Sequence, residues 1–223
     1  MLHLLAELFT IGIGVAISPL AIVAVILMAT SGKGRTNGTA FTLGCYVFSV
    51  IFVSLCVLLG RSAGTDDADS GAHVTVDIVE IVLGVLLLVL AVLQWRGRNH
   101  TGTPKWMSAL DGMSIWQAFI AGILISGPLS PKDLPLLIAA GGRISQSPLP
   151  AEEIIIVILI FAFIGVLAVT VPWLISVLSP TKVEARLSGV RDWLVAHHSV
   201  IMMILFLILG AKLIGSGVAD LVY

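Results

Sequence analysis

The chain has 223 residues, 58% hydrophobic and 11% charged, with a formal net charge of −1 and a mean hydropathy of +1.09. Soluble domains carry about 25% charged residues, so this composition excludes an ordinary soluble domain and points to a chain embedded in lipid. The balanced charge gives no reason to expect a nucleic-acid partner.

A bilayer core of about 30 Å needs roughly 20 apolar helical residues to cross it. Six runs qualify, at 4–30, 39–59, 74–95, 114–140, 153–178 and 199–220. The first lacks the basic leading segment of a secretory signal and is too long for one, so it reads as a retained membrane helix. It contains Ser18-Pro19, where serine suits a helix cap and proline the first helical position. The second holds Cys45 and Cys56, roughly 16 Å apart on a helix and so beyond disulfide reach. The third has Asp77 and Glu80 near its start, which read as interfacial groups, as do Asp111 and Gln117 around the start of the fourth.

The fourth run is interrupted by "GPLSPKDLPLLIAAGG" at 127–142, with a second Ser-Pro at Ser130-Pro131 followed by Lys132 and Asp133. Asp133 stands three residues after Ser130, the spacing of a capping box. Pro172 and Thr170 mark a local kink in the fifth run. The connector at 181–199 carries Val183, Leu187, Val190 and Leu194 near helical spacing, suggesting an amphipathic helix on the inner membrane surface. The sixth run contains Lys212.

Eight lysines and arginines fall in the loops after runs one, three and five, against Arg61 and Arg143 in the others. The positive-inside rule therefore places both termini outside a plasma membrane. "NGT" and "NHT" match the glycosylation pattern but fall on the cytoplasmic side.

The stretches "AISPLAIVAVILMATSGKGR" (16–35) and "PLSPKDLPLLIAAGGR" (128–143) share Ser-Pro, an apolar stretch, small residues, glycine and a basic residue. Ser18 and Ser130 are 112 positions apart, about half the chain. The expected fold is all-α: one transmembrane domain over 1–223, with two three-helix repeats at about 1–98 and 112–223, inverted relative to each other. Helices one and four are broken at Ser-Pro. Each run of about 27 residues would be roughly 40 Å long if straight.

A helix start inside the membrane offers free N–H groups and partial positive charge to an anion. Unpaired backbone at that depth is tolerated only within protein or along a wet cavity. The expected substrate or transport residues are Ser18, Pro19, Ser130, Pro131, Lys132, Asp133 and Lys212. Lys132 costs about 2.5–3.5 kcal/mol at mid-membrane, and it either pairs with Asp133 to seal the break or serves a substrate or proton. Lys212 either reaches outward to headgroups or joins the same path. No nucleophile elbow, phosphate loop or metal constellation occurs, so neither catalysis nor a cofactor is expected.

Three stretches, "ISPLAIVAVILMATSGKGRTNGTAFTLGCYVF", "LSPKDLPLLIAAG" and "DWLVAHHSVIMMILFLILGAKLIGSGV", resemble the GAP family of glycopeptidolipid- and sulfolipid-addressing proteins, within the wider LysE transporter superfamily. The resemblance covers both repeat halves and the last run. It implies a six-span bacterial inner-membrane protein that moves a glycolipid, its precursor or another polar solute towards the cell surface. The family's Ser-Pro-Lys-Asn pattern falls on Ser130, Pro131, Lys132 and Asp133, with aspartate here where asparagine is common. That added charge can neutralise Lys132 and favours proton coupling over a simple anion preference.

Within transport, an amino-acid or small-ion exporter is the rival to a glycolipid exporter. A thiol-shuttling oxidoreductase would need a cysteine in each broken helix, whereas both cysteines lie in run two. A non-transporting scaffold for envelope biosynthesis is the third reading. Membrane lipids are the expected partners. Gly210, Gly215 and Gly217 allow close helix approach, within the chain or in a homo-oligomer.

Overall fold

The computed structural model describes residues 2–30, 34–63, 71–96, 113–130, 132–178 and 183–222. Among them every regular element is helical: α1 (Leu2–Ala16), α2 (Pro19–Thr30), α3 (Gly34–Ala63), α4 (Gly71–Arg96), α5 (Ile115–Ser126), α6 (Asp133–Ser145), α7 (Ala151–Leu178) and α8 (Val183–Val222). The runs at 66–69 and 99–101, with Lys33, Arg98, Lys105, Asp111, Pro131 and Lys182, lie outside the described residues.

Four helices, α3, α4, α7 and α8, are long and apolar enough to cross a membrane by themselves. Helices α1 and α2 are long and apolar enough only as a pair, across a 57° bend, which makes them a broken span or a re-entrant loop. Among the described residues the count is thus four or five where the sequence suggested six. The difference is run four: α5 spans only 12 residues and α6, which holds Asp133 and Arg143, is a separate short helix. The chain is a multi-pass membrane protein.

Both expected interruptions exist, but they are built differently. The first falls as the sequence suggests: Pro19 is the first residue of α2, and the Ser18 carbonyl accepts the first bond of that helix, from Ile22 N–H at 3.0 Å. In the second, the helix does not begin after Ser130. It begins at Asp133, with Lys132 in the cap position and no side-chain cap bond. The capping-box expectation fails because the Asp133 carboxylate takes the Lys132 ammonium as partner while the Ser130 N–H donates to the Gly127 carbonyl. A box does form at the head of α5, where Ser114 and Gln117 cap each other, giving Gln117 a defined role at a helix end.

Among the described residues two large apolar cores result, beside a small cluster of Ile26 and Leu187. One joins α1 and α6 with parts of α3, α4, α7 and α8, around Leu8, Val15, Leu136, Ile144, Phe161 and Phe206. The other joins α2 and α5 with α3 and α7, around Val25, Met28, Phe41, Ala118 and Val169. Ser18, Ser130, Lys132 and Asp133 sit at the breaks that separate α1 from α2 and α5 from α6. Outward faces remain apolar, with Ile51, Leu58, Val82, Phe163 and Leu207 all exposed, as a lipid-facing surface requires.

The connector at 181–199 is helical as expected, but it is not a separate surface helix. It is the first half of α8, which runs unbroken for 40 residues. Leu187 and Leu194 are buried, and Leu187 packs on Ile26 of α2. Leu187 and Leu194 of the apolar stripe therefore face protein, whereas Val190 is exposed. Likewise α7 continues through Pro172.

Close helix crossings are made by glycine. A Cβ on Gly44 of α3 would lie 2.2 Å from the Phe119 carbonyl oxygen, and one on Gly122 of α5 the same distance from that of Phe41. Gly84 of α4 and Gly210 of α8 form a second reciprocal crossing at 2.8 Å, so Gly210 serves packing within the chain. Because the obstacles are backbone atoms, Gly122→Ala is expected to cost about 1–3 kcal/mol, the range of overpacked cores. Gly215→Ala, with nothing within 4 Å, is the matched control and should leave the detergent-solubilised melting temperature unchanged or slightly raised.

Candidate functional site

The first break removes two hydrogen bonds from α1. The Val15 carbonyl would normally accept from residue 19, but proline has no N–H. The Gly14 carbonyl would accept from Ser18, whose N–H has turned to the Ala16 carbonyl at 2.8 Å. Two carbonyls are thereby left at the negative end of a helix in the membrane interior. Lys132 fills both vacancies, donating from Nζ to the Gly14 oxygen at 2.9 Å and the Val15 oxygen at 3.0 Å. Its third proton goes to Asp133 Oδ1.

An ammonium has three donors, and all three of Lys132 are engaged on protein. An orphaned buried carbonyl costs about 1–3 kcal/mol. Capping two of them offsets the mid-membrane cost of the lysine, about 2.5–3.5 kcal/mol. The helix end that this lysine meets is a C-terminus, where a cation is favoured. The break thus presents a protein cation to carbonyls, whereas the sequence suggested free N–H groups awaiting an anion.

The second break closes on its own backbone. Leu129 N–H donates to the Leu124 oxygen at 2.9 Å, Ser130 to Gly127 at 3.0 Å and Asp133 to Ser130 at 3.1 Å. The Ser130 side chain also lies within hydrogen-bonding reach of the Asp133 carboxyl. Of the expected residues, Ser130, Lys132 and Asp133 come together against the last turn of α1. Ser18 and Pro19 are buried at the same break, and Lys132 is fully enclosed. Pro131 lies outside the described residues.

Lys212 belongs to a second polar site. It lines a cavity of about 140 Å³ with Glu7, Glu80, Arg143, Ile11, Leu213 and Ser216, and its ammonium points to the Glu7 carbonyl at 3.5 Å. Glu80 is not interfacial, as its place near a run's start suggested: it is 1% exposed. Arg143 binds it with both prongs, Nε to Oε1 at 2.6 Å and Nη2 to Oε2 at 2.7 Å. Arg143 is ten residues beyond Asp133, or about 15 Å along α6.

Glu7, Glu80 and Arg143 were not among the substrate or transport residues expected from sequence. One signal was available: the positive-inside topology puts the starts of runs one and three and the ends of runs four and six on one face, where these three residues and Lys212 fall.

On the far side of Glu80 lies a larger, nearly wholly apolar groove of about 380 Å³, lined by Phe52, Leu55, Cys56 and Leu59 of α3, Val79 and Glu80 of α4, and Ile138, Ala139 and Gly142 of α6. The helices α3 and α4 scarcely touch, which leaves it open to the lipid side. Both cysteines are free thiols. Among the described residues no group of three or more His, Cys, Asp or Glu side chains is arranged to hold a metal.

The family described as Sap, sulfolipid-1-addressing protein, matches residues 8–219, nearly the whole chain. The chain belongs to this family. A relative, the peptidoglycolipid exporter Gap of Mycolicibacterium smegmatis (strain ATCC 700084 / mc(2)155), is 27% identical over 205 residues, covering 87% of this chain. The chain spans 64% of that exporter's own length. No solved structure matches. The matched segment contains both breaks, the Lys132–Asp133 pair, Glu80, Arg143 and Lys212, so all but Glu7 of the charged groups described above fall within the family's shared length.

Proposed function

We propose that this protein exports a cell-envelope glycolipid or lipid-linked precursor across the inner membrane by alternating access, without catalysing a covalent step. In this reading α5 and α6 together make a sixth crossing, both termini lie outside, and the halves are inverted repeats of the kind found across the LysE superfamily. The observation that carries it is the junction of the two broken helices through Lys132. A lysine that holds the carbonyls of one break from the cap of the other makes a connection able to open only if its bonds to Gly14 and Val15 are both given up.

The packing supports the inverted arrangement. The first crossing packs on α7 and the α5–α6 pair packs on α3, as swapped partners should, while α4 lies along α8. The Gly84–Gly210 crossing is reciprocal to within the same 2.8 Å approach, as a point on a two-fold axis would be. Transport residues in this scheme are Ser18, Pro19, Ser130, Pro131, Lys132 and Asp133 at the breaks, with Lys212 on the outer path. Asp133, which takes one of the lysine's protons in a hydrogen bond, is the natural site for a coupled proton.

That the relative is named a peptidoglycolipid exporter favours an amphiphilic cargo over an amino acid or small ion. Deleting the gene should deplete one class of glycolipid from the cell surface and accumulate it, or its precursor, in the inner membrane. Mass spectrometry of fractionated envelope lipids reads this directly. An unchanged lipid profile with altered efflux of a small solute would replace the glycolipid reading with the rival.

A further inference from the structure

The charged cavity and the apolar groove share a wall, Glu80. Resting on the export reading above, we infer that together they form a binding site for a single glycolipid molecule, its acyl chain in the groove and its sugar head in the cavity.

Three observations carry this. First, the groove opens towards lipid: Leu55 and Leu59 at its rim are 50% and 60% exposed, while its floor residue Ala139 is buried. An acyl chain can therefore slide in sideways without crossing a polar barrier. Secondly, among the described residues Glu80 is the one charged residue lining the otherwise apolar groove, so an occupant meets a polar wall only there. Thirdly, the cavity's four ionisable side chains are two carboxylates, Glu7 and Glu80, and two cations, Arg143 and Lys212. Their charges balance, so neither a strongly anionic nor a strongly cationic head is preferred. Carboxylate acceptors beside guanidinium and ammonium donors suit hydroxyl groups, which both give and accept hydrogen bonds. A sugar is the head group with that chemistry. A cluster of charged groups around one cavity of a multi-pass chain fits a ligand path more than a solvated surface.

The test uses the full chain in phosphatidylcholine nanodiscs containing a photoactivatable glucosyl-diacylglycerol with a diazirine in its acyl chain. A phosphatidylglycerol bearing the same acyl chain is the parallel probe. Label from the glucolipid is expected to concentrate on peptides carrying Leu55, Leu59 and Ile138 and to exceed that from phosphatidylglycerol. Leu59→Trp, which fills the rim from an exposed position and leaves the core alone, should lower the groove label about tenfold, equivalent to about 1.4 kcal/mol. Equal labelling by the two lipids would overturn the sugar assignment, and label spread evenly over the lipid-facing helices, or indifferent to Leu59→Trp, would overturn the site. Export is measured on the same variants in cells. Loss of export in Lys132→Ala without any groove labelling would sink this site alone. Groove labelling in a protein whose deletion leaves envelope lipids unchanged would uphold the site and sink the export reading.

Discussion

Lys132→Ala is expected to abolish export while leaving the chain inserted in the membrane. The substitution orphans the Gly14 and Val15 carbonyls and leaves the Asp133 carboxylate buried without its cation. Breaking a buried ion pair from one side costs about 3–5 kcal/mol, so part of the effect will be on folding. The double variant Lys132→Met/Asp133→Asn separates the two. It removes the charge imbalance and should recover about half of the lost stability, judged by thermal unfolding in detergent, while export stays absent. Full export by that double variant would show that the junction only holds the helices together.

Arg143→Ala should be the second most damaging change, at about 3–5 kcal/mol. Glu80 is almost wholly enclosed, and both of its oxygens are bound by Arg143. Without the guanidinium, that carboxylate faces low dielectric with its strongest partner gone. Glu80→Gln should be milder, because the Arg143 side chain is 17% exposed and borders a cavity wide enough for water. Neutralising both, as Glu80→Gln/Arg143→Gln, should restore much of the stability lost in Arg143→Ala, a coupling of the kind that double-mutant cycles isolate. If Arg143→Ala unfolds no more readily than Glu80→Gln, the pair is not the one that fastens α4 to α6.

How much of this could be read from the chain depends on whether a feature is local. Pro19 has no N–H and fixes φ, so a break there follows from covalent geometry. The apolar runs announce membrane helices because lipid leaves few alternatives. The partner of Lys132 could not be read, since Gly14 and Val15 lie 118 and 117 positions away and contribute only backbone. Glu80 and Arg143 each sit near the end of an apolar run, where a charge normally meets water, and only their mutual approach changes that meaning. At residues 130–133 the spacing of a capping box was present, but the buried ammonium next door offered the Asp133 carboxylate a stronger partner than a backbone N–H. The stripe at Leu187 and Leu194 had helical periodicity, yet periodicity does not say whether the covering surface is membrane or, as here, Ile26 of a neighbouring helix.

The length of α8 has a consequence for the elbow in the first crossing. Forty residues of helix extend about 60 Å, twice the hydrocarbon thickness. This one rod touches both arms of the elbow: α2 through Leu187 on Ile26 and α1 through Lys212 on the Glu7 carbonyl. It therefore acts as a splint. Leu187 and Lys212 stand 25 residues apart, about 37 Å along this helix, so α8 links the two arms of the 57° elbow at widely separated points.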